Sequence, residues 1–422
     1  MHKAWLAAAF AASMFPFAGA EAAQPAAPIL TLAAAVQRVQ QVGFDVRMAR
    51  GEATIAEADA RAARVGLRPQ LGISAVALNA NEPQLGMPVA RQAYGAASLT
   101  VPLFAPAARA AASAAAANAG AAATTVEGTA NDAVLSVVQT YRRAQLADAV
   151  LAARQVAVRD QQDHLRVTEL RVAAGRVPRY TLARDRAGVA VAVQAAEDAA
   201  AERDQARNDL ATQLDMDVSQ PPATEPLTMV AFDESAQLML TRALRERPSL
   251  RAAEQRVTAA RASVLSSRDA YLPTTQVTAQ TYNGAATPAL GSAGSQVQIA
   301  VTLPIVDGGS RSAAVLRASG ELDRATAARD QLRRGVERDV ANALRELSAA
   351  RANLATAEAA QADADEQLRV ARLRESSGKG IEVEVLDALS VAANSRETVL
   401  RSLARYDNAV AGVRHAVGDR TP

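Results

Sequence analysis

The feature that most constrains this chain is that it is written twice. "VGLRPQL" (65–71) matches "DAYLPTT" (269–275), "SLTVPLF" (98–104) matches "AVTLPIV" (300–306), and "LRVTELRVAAG" (165–175) matches "LRVARLRESSG" (368–378). The offsets are 204, 202 and 203 residues, and the order of features is the same in both copies. Self-similarity at one spacing means that one structural unit occurs twice. The first repeat covers 24–217 and the second 231–417, with a linker at 218–230 around "VSQPPATEP" and a tail at 418–422.

Each repeat has the same plan. A charged helical stretch (31–66, then 234–271) leads into a β-like region between two prolines. A very long helical stretch follows (105–174, then 309–377), and after a glycine turn a further helix ends the unit. About 65 residues without proline, at 1.5 Å each, make a helix of roughly 100 Å, far beyond globular lengths and suited to coiled-coil-like packing. Half of the residues are apolar, yet only 3 % are aromatic and alanine dominates. Such a composition favours thin, closely spaced helices over one large core. Leu332, Val336, Val340, Leu344, Leu347 and Leu354 form the expected apolar stripe of the second long helix.

The β-like regions are the hairpins 69–102 and 273–304. In "SQVQIAVTL" (295–303), Val297, Ile299, Val301 and Leu303 alternate with Gln296, Gln298 and Thr302. In "TQVTAQTY" (275–282), Val277 and Ala279 alternate with Gln276, Thr278 and Gln280. Period two, with one apolar face and one uncharged polar face, marks strands between two environments. Loops at 80–91 and about 283–294 join them. A tilted strand of 9–11 residues can cross an outer membrane, but four strands cannot close, and an open edge is not tolerated in lipid. Strands in a membrane therefore require several copies of the chain to share one barrel.

Lys3, the apolar run Ala4–Phe17 and the small residues Ala18, Ala20 and Ala22 read as a secretory signal peptide over 1–20, cleaved after Ala20 or Ala22. No later stretch is apolar enough for a membrane helix. There is no cysteine, hence neither a disulfide nor a lipid-attachment thiol. The net charge is only +2, with no basic block, which argues against a nucleic-acid partner. No nucleophile–base set, phosphate loop or metal-ligand cluster is legible, so no enzyme activity, catalytic residue, metal or cofactor is expected. His164 and His415 stand alone in the sequence.

The ordered set of features resembles the TolC-like family of outer-membrane efflux and secretion channels. It is carried by the signal peptide, the doubled helix–hairpin–long helix–turn–helix plan, "VTLPIVDGGSRSA" (301–313) and "RLRESSGKGIEVEVLDAL" (372–389). Because the lipid-bearing cysteine of many members is lacking, the chain looks like the unlipidated branch. The resemblance implies a mainly α fold with a small β part. Three chains would share a twelve-stranded barrel in outer-membrane lipid, and their helices would form a periplasmic α-barrel. It also implies a homotrimer acting as the exit duct of a tripartite efflux or type I secretion system, docked to a periplasmic adaptor and an inner-membrane transporter. The rivals are a periplasmic coiled-coil structural protein and an adaptor without a pore.

The turns "VAAGRVP" and "LRESSGKGIE" lie at the helix ends farthest from the strands, and the resemblance implies that they would form the periplasmic tip. Glu384 and Asp387, three apart on one helix face, match the acidic gate ring of such a tip; the competing reading is that they only favour the helix start. Arg179 or Lys379 can pair with Glu382 or Glu384 as a tip latch. Arg171, Gly175, Arg374 and Gly378 fall at the adaptor-docking tips, and Pro69, Pro102, Pro273 and Pro304 mark the strand–helix junctions.

Overall fold

A computed structural model describes residues 29–79, 91–233, 235–287 and 291–419. The signal peptide expected over 1–20 and the loop at 80–90 lie outside them. In the first repeat, β1 (Ile29–Leu30) precedes α1 (Leu32–Val42), α2 (Phe44–Val65), β2 (Gln70–Asn79), β3 (Arg91–Phe104), α3 (Pro106–Ala173) and α4 (Tyr180–Gln213). In the second, β4 (Ala223–Thr224) precedes α5 (Ala236–Glu246), α6 (Pro248–Asp269), β5 (Thr274–Thr287), β6 (Gly291–Thr302), α7 (Ser310–Ser376) and α8 (Glu382–Val417). At 68 and 67 residues, α3 and α7 are each about 100 Å long. Among the described residues no helix is long and apolar enough to cross a membrane.

The four long strands form one antiparallel sheet in the order β2-β3-β5-β6, so the two repeats meet at the β3–β5 pair. The helices follow the same order. Near the strands α2 packs on α3, α3 on α6 and α6 on α7; toward the tip α4 packs on α3, α3 on α8 and α8 on α7. Each strand continues into its helix, giving a layer four columns wide. Its outer columns are β2–α2–α4 and β6–α7, and among the described residues these do not pack on each other. Among the described residues both edges of the layer are free, in the sheet and in the helices alike.

Register sorts the faces of the sheet. Leu71 lies opposite Leu99, Val277 opposite Ile299, and Ala279 opposite both Leu99 and Val297. Directly opposed residues share a face, so these make one apolar side. Gln70, Thr100, Thr278 and Gln298 make the polar side by the same pairing. The apolar side is uncovered: Ile73 is 85 % and Val297 75 % exposed.

Three sequence expectations are corrected. The stretches 31–66 and 234–271 are each two helices. Gly43 breaks the first, where a Cβ would come within 2.5 Å of the Val39 carbonyl oxygen. Arg247 in extended backbone, followed by Pro248, breaks the second. The loop expected at 283–294 is largely strand, since pairing resumes at Thr287 opposite Gly291 after a register shift that follows Asn283; small residues there weaken the alternation that would have marked it. Pro102 does not end its strand. It sits opposite Gln276, and a register shift before Phe104 absorbs its missing N–H. Pro69 and Pro273 directly precede β2 and β5, and Pro304 follows β6 after Leu303.

Two details fix the layer. The stripe on α7 is inward, with Val336, Val340, Leu347 and Leu354 buried and packed on α5 and α8. At the entry to α7, Asp307 accepts hydrogen bonds from the Gly309 and Arg311 backbone N–H groups, the Ser310 hydroxyl and the Arg311 guanidinium. Arg311 in turn donates to the Pro304 carbonyl and lies 4.6 Å over the Tyr271 ring. The turn between sheet and helix is thereby held from both sides, with Gly308 and Gly309 at positive φ.

Candidate functional site at the helical tips

The two tip turns are built alike. After α3, the N–H of Gly175 reaches the Val172 carbonyl and that of Arg176 the Arg171 carbonyl; after α7, Gly378 reaches Glu375 and Lys379 reaches Arg374. This is a Schellman closure, with glycine in the left-handed conformation at φ 71° in both copies. Nothing lies within 4 Å of a Cβ added at Gly175 or Gly378. Alanine at either position is therefore expected to cost about 1–2 kcal/mol, from backbone strain alone. Gly380 differs, because its Cβ would meet the Glu375 backbone nitrogen at 2.9 Å. Gly380→Ala is expected to destabilise the second turn more than Gly378→Ala does, read as faster proteolytic nicking at 374–384 in folded protein.

Ion pairs bind the tips of the two repeats to each other. Arg171 of α3 meets Glu375 of α7 at 2.5 Å. Asp160 of α3 accepts from Arg372 of α7 at 3.1 Å, and Arg154 of α3 pairs with Glu397 of α8. Sequence reasoning placed Arg171 on a docking surface; its guanidinium is committed to Glu375, a partner about 200 positions away. Arg374, Gly175 and Gly378 remain at the exposed tip.

Glu384 and Asp387 both reach the surface of α8 on one side, beside Arg374. Glu384 has Arg374 at 3.8 Å as its ion partner. No side chain caps the start of α8. Within one chain and among the described residues, neither Arg179 nor Lys379 pairs with Glu382 or Glu384. Tyr180 is exposed, and the Thr181 hydroxyl donates to the Pro178 carbonyl at 2.7 Å.

Glu382 turns inward. It faces Asp185 of α4 and His164 of α3, and one ligand atom from each of the three lies within 4.8 Å of the others. His164 Nε2 is 3.7 Å from Asp185 Oδ2. Burial, the Asp185 carboxylate opposite and the more distant charge of Glu375 push the Glu382 carboxyl up to about 7, against the opposing pull of Arg184. His164 thus does not stand alone, as its sequence surroundings suggested. Nor does His415, whose Nε2 is 2.7 Å from Asp132. Neither grouping had a sequence signal, because the partners come from different helices.

The profile of a family described as outer membrane efflux protein matches residues 35–214 and again 239–419. Among solved structures, a membrane protein from Pseudomonas aeruginosa superposes with a TM-score of 0.81 at 21 % identity, covering 92 % of this chain and 90 % of that one. The outer membrane protein VceC of Vibrio cholerae gives 0.79 at 19 % identity, over 92 % and 96 % of the two chains. The CmeC outer membrane channel of Campylobacter jejuni gives 0.79 at 19 %, over 92 % and 85 %. At these identities the likeness is one of fold. No curated protein matches the chain by sequence.

Proposed function

The chain belongs to the outer membrane efflux protein family, and from that premise we propose that three copies close into a continuous tube, the passive exit duct of a tripartite exporter. As a family member it is a channel of the outer membrane that extends into the periplasm, and not an enzyme. The observation that carries the proposal is the pair of free edges. A sheet with an exposed apolar face and unpaired outer strands cannot rest in lipid, where every open backbone group costs several kcal/mol. Joining β6 of one copy to β2 of the next satisfies the edges, with the apolar face to lipid and the glutamine- and threonine-rich face to the lumen. Three copies of the four strands make a twelve-stranded barrel. Because each strand continues into its helix, the same closure joins the outer helical columns into an α-barrel.

In this assembly the tips converge, and Glu384 and Asp387 of three copies form the ring that gates the inner end. A periplasmic adaptor and an inner-membrane transporter dock there. The coiled-coil rod and the adaptor have no use for a sheet that is apolar on one side and polar on the other. The test is single-channel conductance in planar bilayers, comparing wild type with Glu384→Ala/Asp387→Ala. A wider or less cation-selective pore is the expected outcome. Folded protein that makes no pore in either form overturns the duct. Unchanged conductance and selectivity keep the duct and remove the carboxylates from its gate.

A further inference from the structure

We propose that His164, Asp185 and Glu382 form a binding site for one divalent transition-metal ion of the zinc class, which ties the first helical hairpin to the second. The three residues come from α3, α4 and α8, so the site spans both repeats. Asp185 is 1 % exposed and His164 8 %. With both carboxyls ionised, the two Asp185 carboxylate oxygens, His164 Nε2 and Glu382 Oε1 are buried without a hydrogen-bond partner; a proton held between Glu382 and Asp185 would pair those two and leave His164 Nε2 unmatched. Buried polar atoms are normally paired, and a bare buried carboxylate is among the most costly groups to leave unmatched. Here one donor atom from each of three helices lies within 4.8 Å of the others, and a cation between them answers all three together.

The donor chemistry selects the class of ion. One imidazole nitrogen with two carboxylate oxygens suits zinc and its first-row neighbours, whereas calcium and magnesium take all-oxygen shells. Two carboxylates and a neutral histidine also balance a charge of two. Zinc bonds of about 2.0–2.2 Å set tetrahedral donors roughly 3.4 Å apart. The His164–Asp185 separation of 3.7 Å is close to that already, and the 4.8 Å limit of the whole set requires only side-chain contraction. Three protein donors leave a fourth position for water. The site is distinct from the exposed Glu384 and Asp387, which lie on the other side of α8's first turns.

The proposal does not depend on the duct reading, because binding is measured on the purified chain whether or not it conducts. The experiment is isothermal titration of chelator-treated protein in detergent with zinc chloride alone, with native mass spectrometry for stoichiometry. One saturable zinc per chain is expected, together with a raised midpoint in the helical circular-dichroism melt. Cobalt chloride should give the intense visible bands of a tetrahedral site. Asp185→Asn and His164→Gln should each abolish saturable binding, while His415→Gln, which alters the other histidine–carboxylate pair, should leave it intact. If Asp185→Asn does not fold, the less buried Glu382→Gln decides. Wild type that binds no zinc overturns the site, leaving a shared proton as the reason the carboxylates tolerate each other. Binding that persists in folded His164→Gln and Glu382→Gln overturns it equally.

Discussion

Val297→Arg is expected to keep the protein out of the outer membrane, while Gln298→Arg, one residue along the same strand, is expected to let it in. The two positions lie near the middle of β6, on opposite faces of the sheet. Val297 belongs to the uncovered apolar side opposite Ala279, and Gln298 to the polar side opposite Thr278. An arginine on the lipid face of a barrel costs about 2–4 kcal/mol at the bilayer midplane, and a lumen-facing charge avoids that cost. In a shared barrel every substitution occurs once per copy, so the penalty triples. Sucrose-gradient fractionation and protease protection of the two variants read the difference. Equal insertion of both would mean that the apolar face does not meet lipid, and would remove the basis for closing the sheet across copies. The expected contrast is large because the two sites share backbone environment, strand and depth, and differ in face alone.

That contrast was legible in the sequence, because alternation is a local signal. "SQVQIAVTL" and "TQVTAQTY" state their faces residue by residue, and the ladder then only aligns them. The long helices were legible for a similar reason: a run of about 65 residues without proline has few other folds. Breaks and partners were harder. Gly43 sits inside a helical pattern whose periodicity continues on both sides, and only the collision of an added Cβ with the Val39 carbonyl shows why the turn requires glycine. Pro248 carried a visible signal, since the residue before a proline leaves the helical region, and it supplied the matching break in the second copy. The linker read as a spacer is also structural. Ala223–Thr224 pairs in parallel with Ile29–Leu30, and the Tyr141 hydroxyl donates to the Leu30 carbonyl at 2.7 Å while accepting from the Glu225 N–H at 3.0 Å. Nothing local in "PPATEP" announces this.

The candidate site divides along the same line. Gly175 and Gly378 could be placed because a glycine after a helix has a local meaning. Glu384 and Asp387 could be placed because three residues make most of a helical turn. Their neighbour Glu382 could not be separated from them, since the direction of a side chain at a helix start depends on what packs above it. His164 and Asp185 lie in different helices of the first hairpin and meet Glu382 only because α8 packs against α3. Contacts between columns of the layer are long-range in sequence, and composition holds no trace of them.

The same dependence on long-range packing makes Asp407→Ala the substitution with the largest expected effect on stability. Asp407 of α8 and Arg142 of α3 are 3.4 Å apart, with side chains 0 % and 8 % exposed, and together they join the second repeat to the first. Asp407 also accepts the Val230 N–H at 3.0 Å, and Arg142 donates to Gln145, whose own amide donates to the Glu225 carbonyl. The pair thus anchors the second half of the inter-repeat segment, from Glu225 to Val230. Burial raises the Asp407 carboxyl above the ordinary range, against the Val230 hydrogen bond and the Arg142 charge that lower it, so the attraction does not fully offset the lost hydration. Removing one partner leaves Arg142 buried and uncompensated, at a cost of about 3–5 kcal/mol. Replacing both with apolar residues removes the stranded charge along with the pair. Arg142→Leu/Asp407→Leu is therefore expected to melt above Asp407→Ala, although it lacks more native contacts. Circular-dichroism melts at 222 nm of the detergent-solubilised variants rank them. A double variant that melts below Asp407→Ala would show that the hydrogen bonds to Val230 and Gln145, and not the balance of charge, hold this junction together.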